Sequence, residues 1–230
     1  MIRFDGVFKR YPNGREALNG VSFHITPGEM VFLTGRSGAG KSTVLKLIAL
    51  LERATRGVVR VNGRNLGALK PRHIPAFRRS LGVVYQDHKL LVDRPVFDNV
   101  ALPLVVAGTR FKETDKRVRA ALDQVGLLGR ERMLPLELSV GEQQRVGIAR
   151  AVVSKPALII ADEPTGNLDP DLAVEVMQLF KRFQSVGVTV VVATHDQHVI
   201  QQFSQRSIVL EGGHIQGPNE PTLPSMVASR

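Results

Sequence analysis

The sequence predicts an α/β protein built on a mostly parallel sheet, and three patterns carry that expectation. An apolar run at residues 30–34 leads into Gly35-Arg36-Ser37-Gly38-Ala39-Gly40-Lys41-Ser42, and residues 41–51 then place apolar side chains at helical spacing. Strand, glycine-rich turn and helix follow one another in that order. The runs Val31-Phe32-Leu33, Leu158-Ile159-Ile160 and Val190-Val191-Val192-Ala193 are continuously apolar rather than alternating, as parallel strands covered by helices on both faces require. Between residues 97 and 154 the pattern turns helical, so a helical segment interrupts the α/β core.

Taken in order, short apolar and β-branched runs mark strands at residues 21–25, 30–34, 58–61, 81–85, 158–162, 188–194 and 207–210. Helices are expected from residue 41 to 51, from 112 to 126 and from 140 to 154, where good helix formers carry a helical period. Ser139 followed by Glu142 forms a capping box and places a helix N-terminus at Ser139. Beyond residue 212, Gly212, Gly213, Gly217, Pro218, Pro221 and Pro224 are breakers, and the chain from 214 to 230 is expected to be a flexible tail. No internal repeat is visible.

The glycine-rich stretch fits G-x-x-x-x-G-K-[ST] at every fixed position. Backbone N–H groups of such a loop close around phosphates, and the helix N-terminus adds positive potential. Gly35, Ser37, Gly38, Ala39, Gly40, Lys41, Ser42 and Thr43 are therefore the candidate nucleotide ligands. Lys41 reaches the terminal phosphates, and the Ser42 hydroxyl is a candidate ligand for Mg²⁺. This chemistry belongs to kinases, GTPases and ATPases alike. A second constellation narrows it: the apolar strand at 158–162 ends in Asp162 and Glu163, so Asp162 can hold Mg²⁺ through water while Glu163 acts on an attacking water.

Composition excludes several classes. With 230 residues and 43% hydrophobic content, the chain can bury a full core. No apolar run reaches the roughly 18 residues of a membrane span. The opening MIRFDGVFKR has no apolar segment of a secretory leader, and with no cysteine the expected compartment is the cytoplasm. Disulfides and thiolate metal sites are excluded. A net charge of +10 suits anionic lipid, nucleic acid, an acidic partner or simply a solvated basic surface.

Leu138-Ser139-Val140-Gly141-Glu142-Gln143-Gln144-Arg145, shortly before the Asp162-Glu163 strand, resembles the signature motif of the ATP-binding cassette family, whose usual form is L-S-G-G-[QE]. The resemblance covers nearly the whole chain. It implies a P-loop NTPase cassette with a RecA-like core, an N-terminal antiparallel β part and an inserted helical subdomain at about 87–155, all in one domain over 1–213. It also implies that Ser139, Gly141 and Glu142 contact the ATP of a partner subunit, that Tyr11 stacks on adenine, and that His195 is the switch histidine at the γ-phosphate. By the same resemblance Gln86 joins the metal and catalytic site to a transmembrane partner, and Asp169 crosses the dimer interface. Catalysis then falls to Glu163, His195, Lys41 and Gln86, with Ser42, Gln86 and Asp162 around Mg²⁺.

What the resemblance implies is an ATP-hydrolysing homodimer in head-to-tail orientation, two ATP molecules sandwiched between the chains, closing on binding and opening on hydrolysis. One cassette without membrane spans implies a separate integral membrane partner. Within the family the residues Gln86-Asp87-His88, Asp93-Arg94-Pro95-Val96-Phe97-Asp98-Asn99-Val100 and Ala193-Thr194-His195-Asp196 are most similar to the cell-division branch. That branch relays ATP-driven change across the inner membrane to activators of peptidoglycan hydrolases. The lipoprotein-releasing and efflux branches share Ala161-Asp162-Glu163-Pro164-Thr165-Gly166-Asn167-Leu168-Asp169 and are the alternative. Residues 87–91 are expected to help form the partner-facing groove. Cassettes that act on DNA carry a long coiled coil and ribosomal ones two cassettes per chain. Neither is present, so no nucleic-acid partner is expected. Val140 stands where the signature usually has glycine, which calls for an ordinary helical or extended backbone there.

Overall fold

The computed structural model describes residues 1–217. The chain opens with β1 (Ile2–Arg10) and β2 (Glu16–Ile25), an antiparallel pair joined by a polar turn. Next come β3 (Met30–Thr34), α1 (Lys41–Ile48), β4 (Arg56–Val61) and β5 (Arg64–Asn65). After a short 3₁₀ turn follow α2 (Ile74–Arg79), β6 (Leu81–Val84), α3 (Val96–Val106), α4 (Phe111–Gln124) and α5 (Val140–Val152). The chain continues with β7 (Leu158–Asp162), α6 (Pro170–Ser185), β8 (Thr189–Ala193), α7 (Gln197–Phe203), β9 (Arg206–Glu211) and β10 (His214–Gln216).

The strands form two sheets. The smaller runs β2-β1-β4-β5 and is antiparallel throughout; the larger runs β10-β9-β3-β8-β7-β6. Its β9, β3, β8, β7 and β6 are parallel, and β10 closes one edge as an antiparallel hairpin. Alternate residues of the parallel strands face two separate cores. Met30, Phe32, Ile159 and Val192 pack toward α3, α4, α5 and α6, whereas Val31, Leu33, Ile160 and Val191 pack toward α1 and the small sheet. This two-sided burial is why those strands read as continuous apolar runs.

Register decides where function can sit. Val84 lies opposite Ala161, Asp162 opposite Ala193, and Leu33 opposite Ala193, so β3, β6, β7 and β8 end along one rim. The residues that follow them, Gly35, Gln86, Glu163 and His195, emerge at the carboxyl edge, where open α/β sheets bind ligands.

Several elements differ from the sequence expectation. β10 pairs with β9 through Gln216, so the expected loose tail does not begin at 214; the Gly212-Gly213 pair, at φ 54° and 81°, makes a hairpin turn instead. Residues 218–230 of that expected tail lie outside the described residues. α1 stops at Ile48, because Leu50 is left-handed at φ 53°. β1, β5, α2, α3, α6, α7 and β10 have no counterpart among the strands and helices expected from the sequence patterns.

Candidate nucleotide site

β3 is buried along its length and delivers the chain to the rim at Thr34. Gly35 then turns at φ 140°, where an added Cβ would lie 2.1 Å from the Leu210 carbonyl oxygen. At Gly40, φ 114°, a Cβ would meet the Ala17 carbonyl oxygen at 2.7 Å. Both positions require glycine, and together they fold the loop over the start of α1.

A cleft of about 840 Å³ opens above this loop, lined by Tyr11, Ser37, Gly38, Gly40, Lys41, Ser42, Thr43, Gln86, Glu163 and His195 among others. Thus five separate stretches of chain converge on one cavity. Gly35 and Ala39 support the loop without lining the cleft; Ala39 is buried. Lys41 is 7% exposed, and its Nζ donates to the Gly35 carbonyl at 2.9 Å and lies 3.4 Å from Glu163 Oε1. Tyr11 stands at the cleft wall, its hydroxyl 3.3 Å from Thr43 Oγ1 and Lys9 Nζ 4.8 Å from its ring centroid.

Ser42 Oγ donates to Asp162 Oδ1 at 3.2 Å. Burial holds the Asp162 carboxyl above the usual aspartate range; the Ser42 hydrogen bond opposes this and the neighbouring Glu163 charge adds to it. A desolvated carboxylate beside a hydroxyl is an oxygen donor set that suits a hard cation such as Mg²⁺. No group of three or more His, Cys, Asp or Glu residues able to hold a metal occurs among the described residues.

Glu163 sits at φ 46°, an uncommon conformation for a non-glycine residue. Its N–H donates to the Ala193 carbonyl at 2.9 Å, which ties the end of β7 to the end of β8. Its side chain is thereby presented between two cations or potential cations: Lys41 on Oε1 and His195 Nδ1, 2.9 Å from Oε2. Gln86 is exposed just beyond β6, and its Nε2 lies 3.5 Å from where a Gly166 Cβ would stand.

Ser139, Gly141 and Glu142 do not line this cleft; they lie at the start of α5. Ser139 caps that helix, its Oγ accepting from Glu142 N–H at 3.3 Å while Glu142 Oε2 accepts from Ser139 N–H at 2.9 Å. The backbone bond from Ser139 is the main reason the Glu142 carboxyl falls below its ordinary range. Val140 is the first residue of α5 and half-exposed. Asp169 likewise caps α6, accepting from Leu172 N–H at 3.0 Å. Ser139 and Asp169 are exposed, Glu142 is partly buried and Gly141 is buried.

Four cleft residues, Pro12, Asn13, Arg15 and Lys46, are not among the candidates that the sequence marks. Arg15 donates to the Gly38 carbonyl at 3.3 Å, and Asn13 and Lys46 also line the wall. Lys46 was legible, since it follows Ser42 by four residues and shares its helix face. Arg15 and Asn13 lie in the polar turn beside Tyr11, which alone gave no signal.

Known proteins resemble this chain in sequence and in fold. Residues 18–166 match the ABC transporter family model. The chain is 55% identical to the cell division ATP-binding protein FtsE of Escherichia coli (strain K12), covering 94% of this chain and 98% of that one. It is 48% identical to the FtsE of Bacillus subtilis (strain 168), covering 94% of each. A dimeric structure of MJ0796, a bacterial ABC transporter cassette, superimposes with TM-score 0.86 at 36% identity, over 94% of this chain and 97% of that one. A dimeric post-hydrolysis state of MJ0796 bound to ADP and Pi superimposes equally, TM-score 0.86 at 35% identity, over 94% and 97% of the two chains.

Proposed function

Because the chain belongs to the ABC transporter family, we propose that it is the ATP-hydrolysing subunit of an FtsE/FtsX-type cell-division complex and works as a head-to-tail dimer. The observation that carries this reading is the Glu163 carboxylate, fixed between Lys41 and His195 at the mouth of the phosphate-loop cleft.

The residues divide the work. The glycine-rich loop and α1 N-terminus bind the phosphates, Lys41 leaves its Gly35 carbonyl to neutralise the terminal phosphoryl group, and Tyr11 stacks on the base. Ser42 and Asp162, with Gln86, would hold Mg²⁺, which supplies charge neutralisation at the phosphates when bound. Glu163 accepts a proton from, or orients, the attacking water, and His195 holds Glu163 from its other oxygen. In the closed dimer, Ser139 and the N–H of Gly141 on α5 of the second chain approach the same γ-phosphate, and Asp169 meets the opposite chain. ATP then contacts both chains only when they are closed, so binding and hydrolysis bias a two-state change.

No helix among the described residues is long and apolar enough to cross a membrane. An FtsX-type integral membrane protein is therefore the partner that receives this change and passes it to activators of peptidoglycan hydrolases, with the present chain peripheral at the cytoplasmic face of the inner membrane. The test is to tag the chain at its N-terminus, purify it from native membranes with ATP present, and identify the membrane protein that accompanies it. An FtsX-like subunit is the expected result. A lipoprotein-releasing or efflux permease would replace the biology and leave the site chemistry standing.

A further inference from the structure

The turn that follows Gln86 is strained, and α5 is what holds it. His88 and Lys89 are successive non-glycine residues in the left-handed region, at φ 57° and 49°. A Cβ disfavours that region, and two such residues in a row compound the penalty. The turn is tightened further by Lys89 N–H, which donates to the Asp87 carbonyl at 2.5 Å. Such a backbone persists only where its surroundings over-determine it.

Those surroundings are a stripe on α5 made by Gln144, Gly147 and Arg150, spaced three residues apart and so on one helix face. Arg150 donates from one guanidinium nitrogen to the Lys89 carbonyl at 2.7 Å and from the other to the His88 carbonyl. Gln144 is fully buried, and its Oε1 lies 2.5 Å from His88 Nδ1. Gly147 leaves the helix flat beneath the turn, where a Cβ would stand 3.9 Å from the His88 carbonyl oxygen. Two further facts show that the stripe is kept at a cost. Gln144 Nε2 is buried without a hydrogen-bond partner among the described residues, and burial holds the Arg150 guanidinium below its ordinary value.

We propose that Arg150, assisted by Gln144, is a positioning residue for hydrolysis: by clamping the His88 and Lys89 carbonyls it fixes the turn that sets Gln86 at the nucleotide cleft. The inference rests on the reading of Gln86 as a residue that acts in hydrolysis. Without the clamp the turn relaxes toward ordinary φ values, and Gln86, two residues upstream of His88, loses its anchor on one side. Nucleotide affinity is set elsewhere, by the glycine-rich loop, Lys41 and Tyr11, so the two effects separate.

Steady-state ATP hydrolysis by the purified full chain tests this with Arg150→Met, Arg150→Lys, Gln86→Ala and the double variant Arg150→Met/Lys89→Gly. Arg150→Met is expected to lower kcat about tenfold with KM for ATP within about twofold of wild type. Arg150→Lys keeps a cation but loses the fork, and should fall between the two. Glycine accepts the left-handed backbone without steric cost, so Lys89→Gly should restore most of the lost kcat in the Arg150→Met background. A purely structural loss in α5 would not be repaired by a glycine in a loop. Wild-type kcat in Arg150→Met, or a deficit that Lys89→Gly leaves unrelieved, overturns the inference while a reduced kcat in Gln86→Ala leaves the reading of Gln86 intact. Full kcat in Gln86→Ala overturns that reading itself. Should Arg150→Met fail to fold, Arg150→Lys with and without Lys89→Gly decides by the same rescue.

Discussion

His195 Nδ1 lies 2.9 Å from Glu163 Oε2, although 32 residues of chain separate them. Parallel pairing of β7 with β8 brings them together, Asp162 standing opposite Ala193 so that both strands discharge their next residues at the same rim. For the pair to be a hydrogen bond the proton must sit on Nδ1, since the carboxylate can only accept. In the neutral ring Nε2 of His195 is then an acceptor.

Glu163→Gln removes the carboxylate and keeps the side-chain volume. Turnover should fall by about 10²- to 10⁴-fold, with ATP binding retained and the closed dimer accumulating. Steady-state phosphate release and size-exclusion chromatography with ATP measure both. Wild-type turnover would remove Glu163 from the chemistry.

His195→Ala addresses the other half of the pair. Its side chain is 69% exposed, so the fold should barely register the change, with stability altered by no more than about 0.5 kcal/mol. Turnover should nevertheless drop, because Glu163 loses the group that orients Oε2. Thermal denaturation beside a turnover assay separates the two effects.

Lys41→Ala should abolish tight ATP binding. Lys41 bonds the Gly35 carbonyl and sits against Glu163, so its removal also leaves that carboxylate without its buried cation. Titration of a fluorescent ATP analogue should show at least about a tenfold weaker Kd, in line with one charge-assisted contact worth about 1.5–3 kcal/mol. Unchanged affinity would contradict the assigned loop.

The acid limb of stability is read at Glu29. Burial pushes its carboxyl up, but hydrogen bonds from Thr26 N–H and hydroxyl and from Arg206, at 2.7, 2.9 and 2.8 Å, outweigh burial and hold it below the ordinary glutamate range. A lowered folded value contributes stability that is present above the unfolded value and is lost as pH falls through the folded one. Glu29→Gln should therefore destabilise the protein at neutral pH and flatten the acid decline. Urea midpoints at several pH values below 6 check the slope.

The rim of the cleft was legible in the sequence where the proposed chemistry fixes spacing, and obscure where the backbone breaks a period. Gly35 to Ser42 and the Asp162-Glu163 step stand out because phosphate and metal binding tolerate few alternatives. β1 was hidden by a bulge. Ile2, Phe4, Val7 and Lys9 are its buried residues, and the register shift between Phe4 and Val7 flips the alternation. Phe8 consequently points outward and Lys9 inward, where Lys9 Nζ bonds Glu52 at 2.7 Å. α6 carries a readable signal in Ala173, Val176, Met177, Leu179 and Phe180 behind the Asp169-Pro170 start. The clamp of Arg150 on the His88 turn had no sequence signal at all, since it depends on two left-handed residues and a contact 62 positions away.

Complementation between two defective chains tests the shared site most directly. Lys41→Ala disables the phosphate loop, whereas Ser139→Asp preserves the α5 cap but sets a negative charge against the phosphate it would meet on the opposite chain. Each variant alone should hydrolyse ATP poorly. Mixed in equal amounts, half the dimers regain one intact site, and turnover should rise to about a quarter of wild type. A mixture no more active than its components, or full activity in Ser139→Asp alone, would contradict a nucleotide site built from two chains.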